Sequence, residues 1–128
     1  GLGDVYKRQV LPQLLAMHYA GQKGFKVFLQ EDKTIGVPLD VYIPELRLTF
    51  LFPHKNTQRE KDTLMVVKHL CEKRNIACEI ILQKEHMDLC AAIKRGFSKV
   101  HVFINSDSVN DMSIVKRKYR KIRENHMT

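Results

Sequence analysis

The sequence predicts a single α/β domain built on a mixed central sheet, and three observations carry that expectation. An apolar pattern of period two runs from Val37 to Phe52, a capped amphipathic helix follows from Thr57, and a short apolar run suited to a strand begins at Ala77. With 128 residues, 44% hydrophobic and 28% charged, the chain buries one core and is too short for two ordinary domains.

Residues 1–9 are set apart from that domain. Asp4-Val5-Tyr6-Lys7-Arg8-Gln9 back-translates to GATGTGTATAAGAGACAG, which resembles the end sequence of a transposon used to prepare sequencing libraries. These residues are expected to be adapter read-through, with residues 10–128 forming the domain and a native N-terminal region of unknown length missing.

From Val10 to about Lys23, Leu11, Leu14, Leu15, Met17 and Tyr19 suggest one apolar helix face, with Gly21 and Gly24 as the stop. Phe25 to Leu29 reads as a short strand, and Gln30 to Thr34 as a polar turn. Val37, Leu39, Val41 and Ile43 then alternate along one strand, and Leu46, Leu48, Phe50 and Phe52 along the next. A hairpin folded about Pro44-Glu45 sets Asp40 opposite Thr49 and diagonal to Leu51, on the face away from those aliphatic residues.

Thr57-Gln58-Arg59-Glu60 has the spacing of a capping box, in which the hydroxyl and the carboxylate each satisfy an orphan backbone donor. The helix runs to about Arg74 with Leu64, Val67 and Cys71 inward, Met65 and Leu70 widening the stripe, and Asn75 as the stop. Ala77 to Leu82 reads as a buried strand, His86 to Arg95 as a helix stopped by Gly96, and Lys99 to Ile104 as a further strand. A last helix starts between Ser106 and Ser108, with Met112, Val115, Tyr119 and Ile122 toward the core. The order is α-β-β-β-α-β followed by an α-β-α extension.

Composition narrows the function classes. No apolar run approaches the roughly 18 residues of a membrane span, and no secretory signal is legible, so a cytoplasmic protein without membrane partners is expected. Cys71, Cys78 and Cys90 lack metal-ligand or disulfide spacing and read as buried reduced thiols. His18, His101 and His126 are isolated, and no glycine-rich phosphate loop opens a helix. The formal charge of +8 and pI near 9.5 favour an anionic partner, nucleic acid before a membrane surface.

Pro38-Leu39-Asp40-Val41-Tyr42-Ile43-Pro44-Glu45-Leu46, the helix bearing Lys61-Asp62, and Cys71-Glu72-Lys73-Arg74-Asn75-Ile76 leading into the next strand resemble the restriction-endonuclease-like (PD-(D/E)XK) superfamily, in particular Vsr-like small bacterial nuclease-like proteins. The resemblance runs from about Gln13 to Leu82 and includes the element order. It implies a nuclease core in which carboxylates hold divalent cations beside the scissile phosphate. Asp40 matches the first acidic position. The family's glutamate falls at Leu51, Pro53 replaces an acid or lysine, and Gln13 stands where helix one often carries a further glutamate.

The resemblance therefore implies a degenerate centre with Asp40 as a vestigial catalytic residue, no metal site and no cofactor. Binding to DNA or RNA through backbone phosphates is expected of Lys116, Arg117, Lys118, Arg120, Lys121 and Arg123, with His54, Lys55 and Arg59 nearer Asp40. Lys94, Arg95 and Lys99 either extend that patch or act as cations at a helix C-terminus. Aromatics are not interleaved with the basic run, so base-specific reading is not indicated. Two alternatives stay open: an interaction or regulatory domain without nucleic-acid binding, and an active magnesium endonuclease with a rerouted acid such as Glu31 or Glu45. A homodimer is conceivable through the hairpin edge or the Phe50-Leu51-Phe52 run.

Overall fold

The computed structural model describes residues 2–82 and 88–127, with side chains described for 10–82 and 88–125. In chain order the elements are α1 (Leu2–Gln22), β1 (Phe28–Glu31), β2 (Leu39–Ile43), β3 (Leu48–Leu51), α2 (Gln58–Lys73), β4 (Ala77–Ile80), α3 (Leu89–Ser98) and α4 (Ser108–Met127). The four strands form one mixed sheet in the order β1-β2-β3-β4, antiparallel between the first three and parallel between β3 and β4. Each face is covered. α1, α3 and α4 pack on one side around Leu15, Tyr19, Val41, Phe50, Phe97 and Val115. α2 packs on the other around Leu39, Tyr42, Leu51, Val67 and Cys71.

The hairpin forms where the period-two pattern places it, in a different register. Ile43 and Leu48 are joined by a 3-10 turn over Pro44–Leu46 and by Arg47 in left-handed backbone at φ 49°, so that Tyr42, and not Asp40, stands opposite Thr49. A four-residue connection shifts the pairing by two and leaves the faces unchanged. Val41 and Ile43 reach the α1 side as expected, whereas Val37 and Leu39 belong to the α2 side. β1 starts later than expected. Phe25 and Val27 pack on the core before pairing begins, and Gln30 and Glu31 extend the strand into the expected turn.

α2 has the predicted ends. Thr57 Oγ1 accepts from the Glu60 N–H at 3.1 Å. At the other end Asn75 takes φ 55°, its N–H reaching Glu72 O while the Ile76 N–H reaches Cys71 O, which closes the helix in a Schellman motif. Arg47 donates to the carbonyls of Arg74 and Asn75 and so ties the hairpin turn to this helix end. Leu64, Val67, Leu70 and Cys71 face the sheet, but Met65 is 69% exposed and lies off the stripe. Met17 on α1 likewise faces out.

The C-terminal extension is α-α rather than α-β-α. Residues 99–104 form no strand, although their side chains alternate: Val100, Val102 and Ile104 pack on the core while His101 and Phe103 are exposed. The backbone donors of Val100 and Val102 both go to Phe97 O, and His101 takes φ 63°, so these groups close α3 instead of joining the sheet. Gly96 does not stop α3. It lies inside the helix, where a Cβ would stand 2.4 Å from the Phe50 ring, and it lets α3 approach β3. Asp88 caps α3 by accepting from the Ala91 N–H at 3.1 Å. The expected helix start at His86 lies outside the described residues.

The Phe50-Leu51-Phe52 run is buried and offers no dimer surface. The sheet edge at β1 does expose Phe28 and Leu29. Among the described residues no helix is long and apolar enough to cross a membrane.

Candidate functional site

Asp40 lies on β2 at the end of the sheet where β3 runs out. Its Oδ2 accepts from the Phe52 N–H at 2.8 Å and its Oδ1 from Gln30 Nε2 at 3.2 Å. The carboxylate thus ends the β2–β3 ladder, satisfying a backbone donor just past the last residue of β3. Beside it opens a cleft of about 490 Å³ lined by Val10 and Gln13 of α1, Gln30, Pro38, Leu51 to His54, and Glu60, Thr63, Leu64 and Val67 of α2. Four residues singled out by the resemblance, Gln13, Asp40, Leu51 and Pro53, come together in this one place.

Neither rerouted acid reaches the cleft. Glu31 accepts from the backbone N–H groups of Lys33 at 2.8 Å and Thr34 at 3.2 Å. A hydrogen bond from the Thr34 side chain foremost, with these backbone donors adding to it, holds its carboxyl below its ordinary value, and it borders a different hollow with Phe28, Tyr42 and Pro44. Glu45 is exposed in the 3-10 turn between β2 and β3. The acid that does line the cleft is Glu60, assigned from sequence to the capping box. Thr57 forms its half of that box, and among the described residues no hydrogen bond ties the Glu60 carboxylate. The signal was present in the sequence as an acid in the first turn of the helix beside the hairpin, but the capping role accounted for it fully.

A hard cation is held by oxygen ligands, and the carboxylates in this cleft are those of Asp40 and Glu60. Leu51 and Pro53 place hydrocarbon where the family places ligands, both Asp40 oxygens are engaged, and no cluster of three metal-ligating side chains occurs among the described residues. Asp62 accepts from Gln58 Nε2 on the α2 surface and takes no part.

The basic residues fall into two groups. His54 lines the cleft, and exposed Lys55 and Arg59 flank lining residues in the chain. Lys116, Arg117, Lys118, Arg120, Lys121 and Arg123 are all exposed on α4, and none is ion-paired among the described residues. At 100° per residue Lys116, Arg120 and Arg123 make one stripe and Arg117 and Lys121 the next, covering most of the outward arc. No residue of α4 lines the Asp40 cleft. Arg95 is exposed, whereas Lys99 pairs with Glu79 at 3.0 Å.

Lys94 leaves the surface patch altogether. Its Nζ donates to Ser106 O at 2.6 Å and Ser108 Oγ at 3.1 Å, and lies 3.9 Å from Asp111 Oδ2. Asp111, 2% exposed, also accepts from Tyr19 at 3.0 Å and Ser106 at 2.6 Å, with His18 Nε2 3.5 Å from its other oxygen. Burial pushes the Asp111 carboxyl up, but Ser106, Tyr19, His18 and Lys94 outweigh it and hold the group below its ordinary value. Burial, with Cys90 and Asp111 adding to it, raises the Tyr19 phenol and keeps it protonated. His18 is therefore not isolated. The cluster fastens α4 to α1 and α3, and it escaped the sequence because its members are far apart in the chain.

Cys71 and Cys90 are buried as expected, whereas Cys78 is half-buried on β4. Burial raises Cys71, and burial with the neighbouring Cys71 pushes Cys78 up to about 12, which removes thiolate reactivity. Comparison with protein families, with curated proteins and with solved structures finds no match to this chain.

Proposed function

We propose that the chain is a nuclease-like α/β domain with a degenerate cleavage centre that binds nucleic acid through backbone phosphates. The observation that carries this reading is the outward arc of α4, where six exposed cations stand within about 10 Å of helix and none forms an ion pair among the described residues. Phosphate neutralisation by such a surface releases counterions and drives sequence-independent binding. The restriction-endonuclease-like assignment is supported by the α-β-β-β-α-β order and by the meeting of Asp40, Gln13, Leu51 and Pro53 in one cleft. The same cleft, walled by hydrocarbon at the ligand positions, supports loss of cleavage.

The test is binding of the chain to a labelled single strand and a labelled duplex at low and moderate salt, with magnesium present and the products run on a denaturing gel. Salt-sensitive binding with intact strands is the expected result. Cleavage lost in Asp40→Ala would establish an active enzyme instead. Failure to bind at low salt would turn attention to protein contacts, for which Met65 and Val66 on α2 are exposed.

A further inference from the structure

Inside the Asp40 cleft the electrostatics are opposite to those of its surroundings. Asp40 and Glu60 are both carboxylates, the neutral amides of Gln13 and Gln30 and the imidazole of His54 stand with them, and no lysine or arginine is among the lining residues. Two carboxylates with no lysine or arginine beside them in the lining disfavour a bare phosphate there. A group bearing hydrogen-bond donors complements two carboxylates and two amides. Leu51, Phe52 and Pro53 supply an apolar wall, and the volume lies within the range of small-molecule sites. Outside, Lys55 and Arg59 are exposed and adjoin His54 and Glu60 in the chain.

We propose that this cleft receives one unstacked nucleobase of a bound single strand, its phosphates held outside by Lys55 and Arg59, and that Glu60 selects bases bearing an exocyclic amine. The proposal rests on the nucleic-acid-binding reading above and names what that reading leaves open. A base within a duplex has its amine edge paired and its faces stacked, so only an unpaired base enters. Carboxylates recognise the N4 amine of cytosine, whereas thymine presents a carbonyl oxygen at that position and is refused. Asp40, with both oxygens already accepting, fixes the cleft's shape, and Glu60 is the acceptor left to meet the base.

The experiment measures anisotropy of labelled oligo-dC and oligo-dT of equal length with the whole chain at one salt concentration, for the native sequence and for Glu60→Gln. Oligo-dC is expected to bind about tenfold more tightly than oligo-dT. Glu60→Gln, which keeps the side-chain shape and the Thr57 cap, is expected to retain its melting temperature and to bring the two affinities within about twofold, since its amide donates to the thymine carbonyl. Equal affinities in the native chain, or a cytosine preference unchanged by Glu60→Gln, would overturn the base pocket while leaving phosphate binding in place. Failure to bind either strand would overturn the phosphate reading and the pocket with it.

Discussion

Asp111 is the residue whose environment has the most direct energetic consequence. Removing its charge leaves Lys94, which is partly buried, without its carboxylate, and breaking a buried pair in this way costs about 3 kcal/mol. Asp111→Asn is therefore expected to lower stability by about that amount in urea titration at neutral pH. The folded-state pKa is depressed, so its contribution is present above the ordinary value of 3.8 and is lost as pH falls through the lower folded value. The gap between the native chain and Asp111→Asn should accordingly narrow below pH 3.8. Gly96 gives a second residue-scale expectation. Alanine would improve helix propensity by about 1 kcal/mol, but its Cβ would stand 2.4 Å from Phe50 in the core. The clash decides the sign, and Gly96→Ala should lower stability by about 1–2 kcal/mol net, measured by the same titration.

At the scale of elements, the sequence was most legible where order is local. The hairpin follows from period-two alternation, α2 from its Thr57 cap and Asn75 stop, and the inward face of α4 from Met112, Val115, Tyr119 and Ile122. Residues 99–104 show the limit of that reasoning. Their alternation records one side packed on the core, and nothing local shows that the backbone groups close α3 instead of joining a strand. The shift at Asp40 has a related origin, because a proline-containing turn can close over two residues or four and each keeps the faces. The candidate site was half legible: Gln13, Asp40, Leu51 and Pro53, each singled out in the sequence, line one cleft, while Glu60 was hidden behind its capping role and Tyr19 meets Asp111 across 92 positions. Asp88 tests the capping logic itself. Asp88→Ala should cost about 1 kcal/mol, seen as a lower urea midpoint with unchanged m-value.

At the scale of the whole molecule, three charged groupings occupy separate places. Asp111 is buried and paired where α4 meets α1 and α3, Asp40 and Glu60 line the cleft at the sheet end, and the α4 cations stand in water. The Asp111 cluster fastens α4 to α1 and α3, and the exposed cations of α4 are the surface on which nucleic-acid binding is proposed. Its most direct test is the slope of log affinity against log salt for a labelled single strand, compared between the native chain and Lys116→Gln/Arg120→Gln/Arg123→Gln. These residues are exposed, so the triple variant should keep its melting temperature. The account expects affinity to fall with salt in the native chain and the slope to be shallower by about 2 in the variant, close to 0.7 for each phosphate contact removed. Identical slopes, or binding that does not respond to salt, would contradict it.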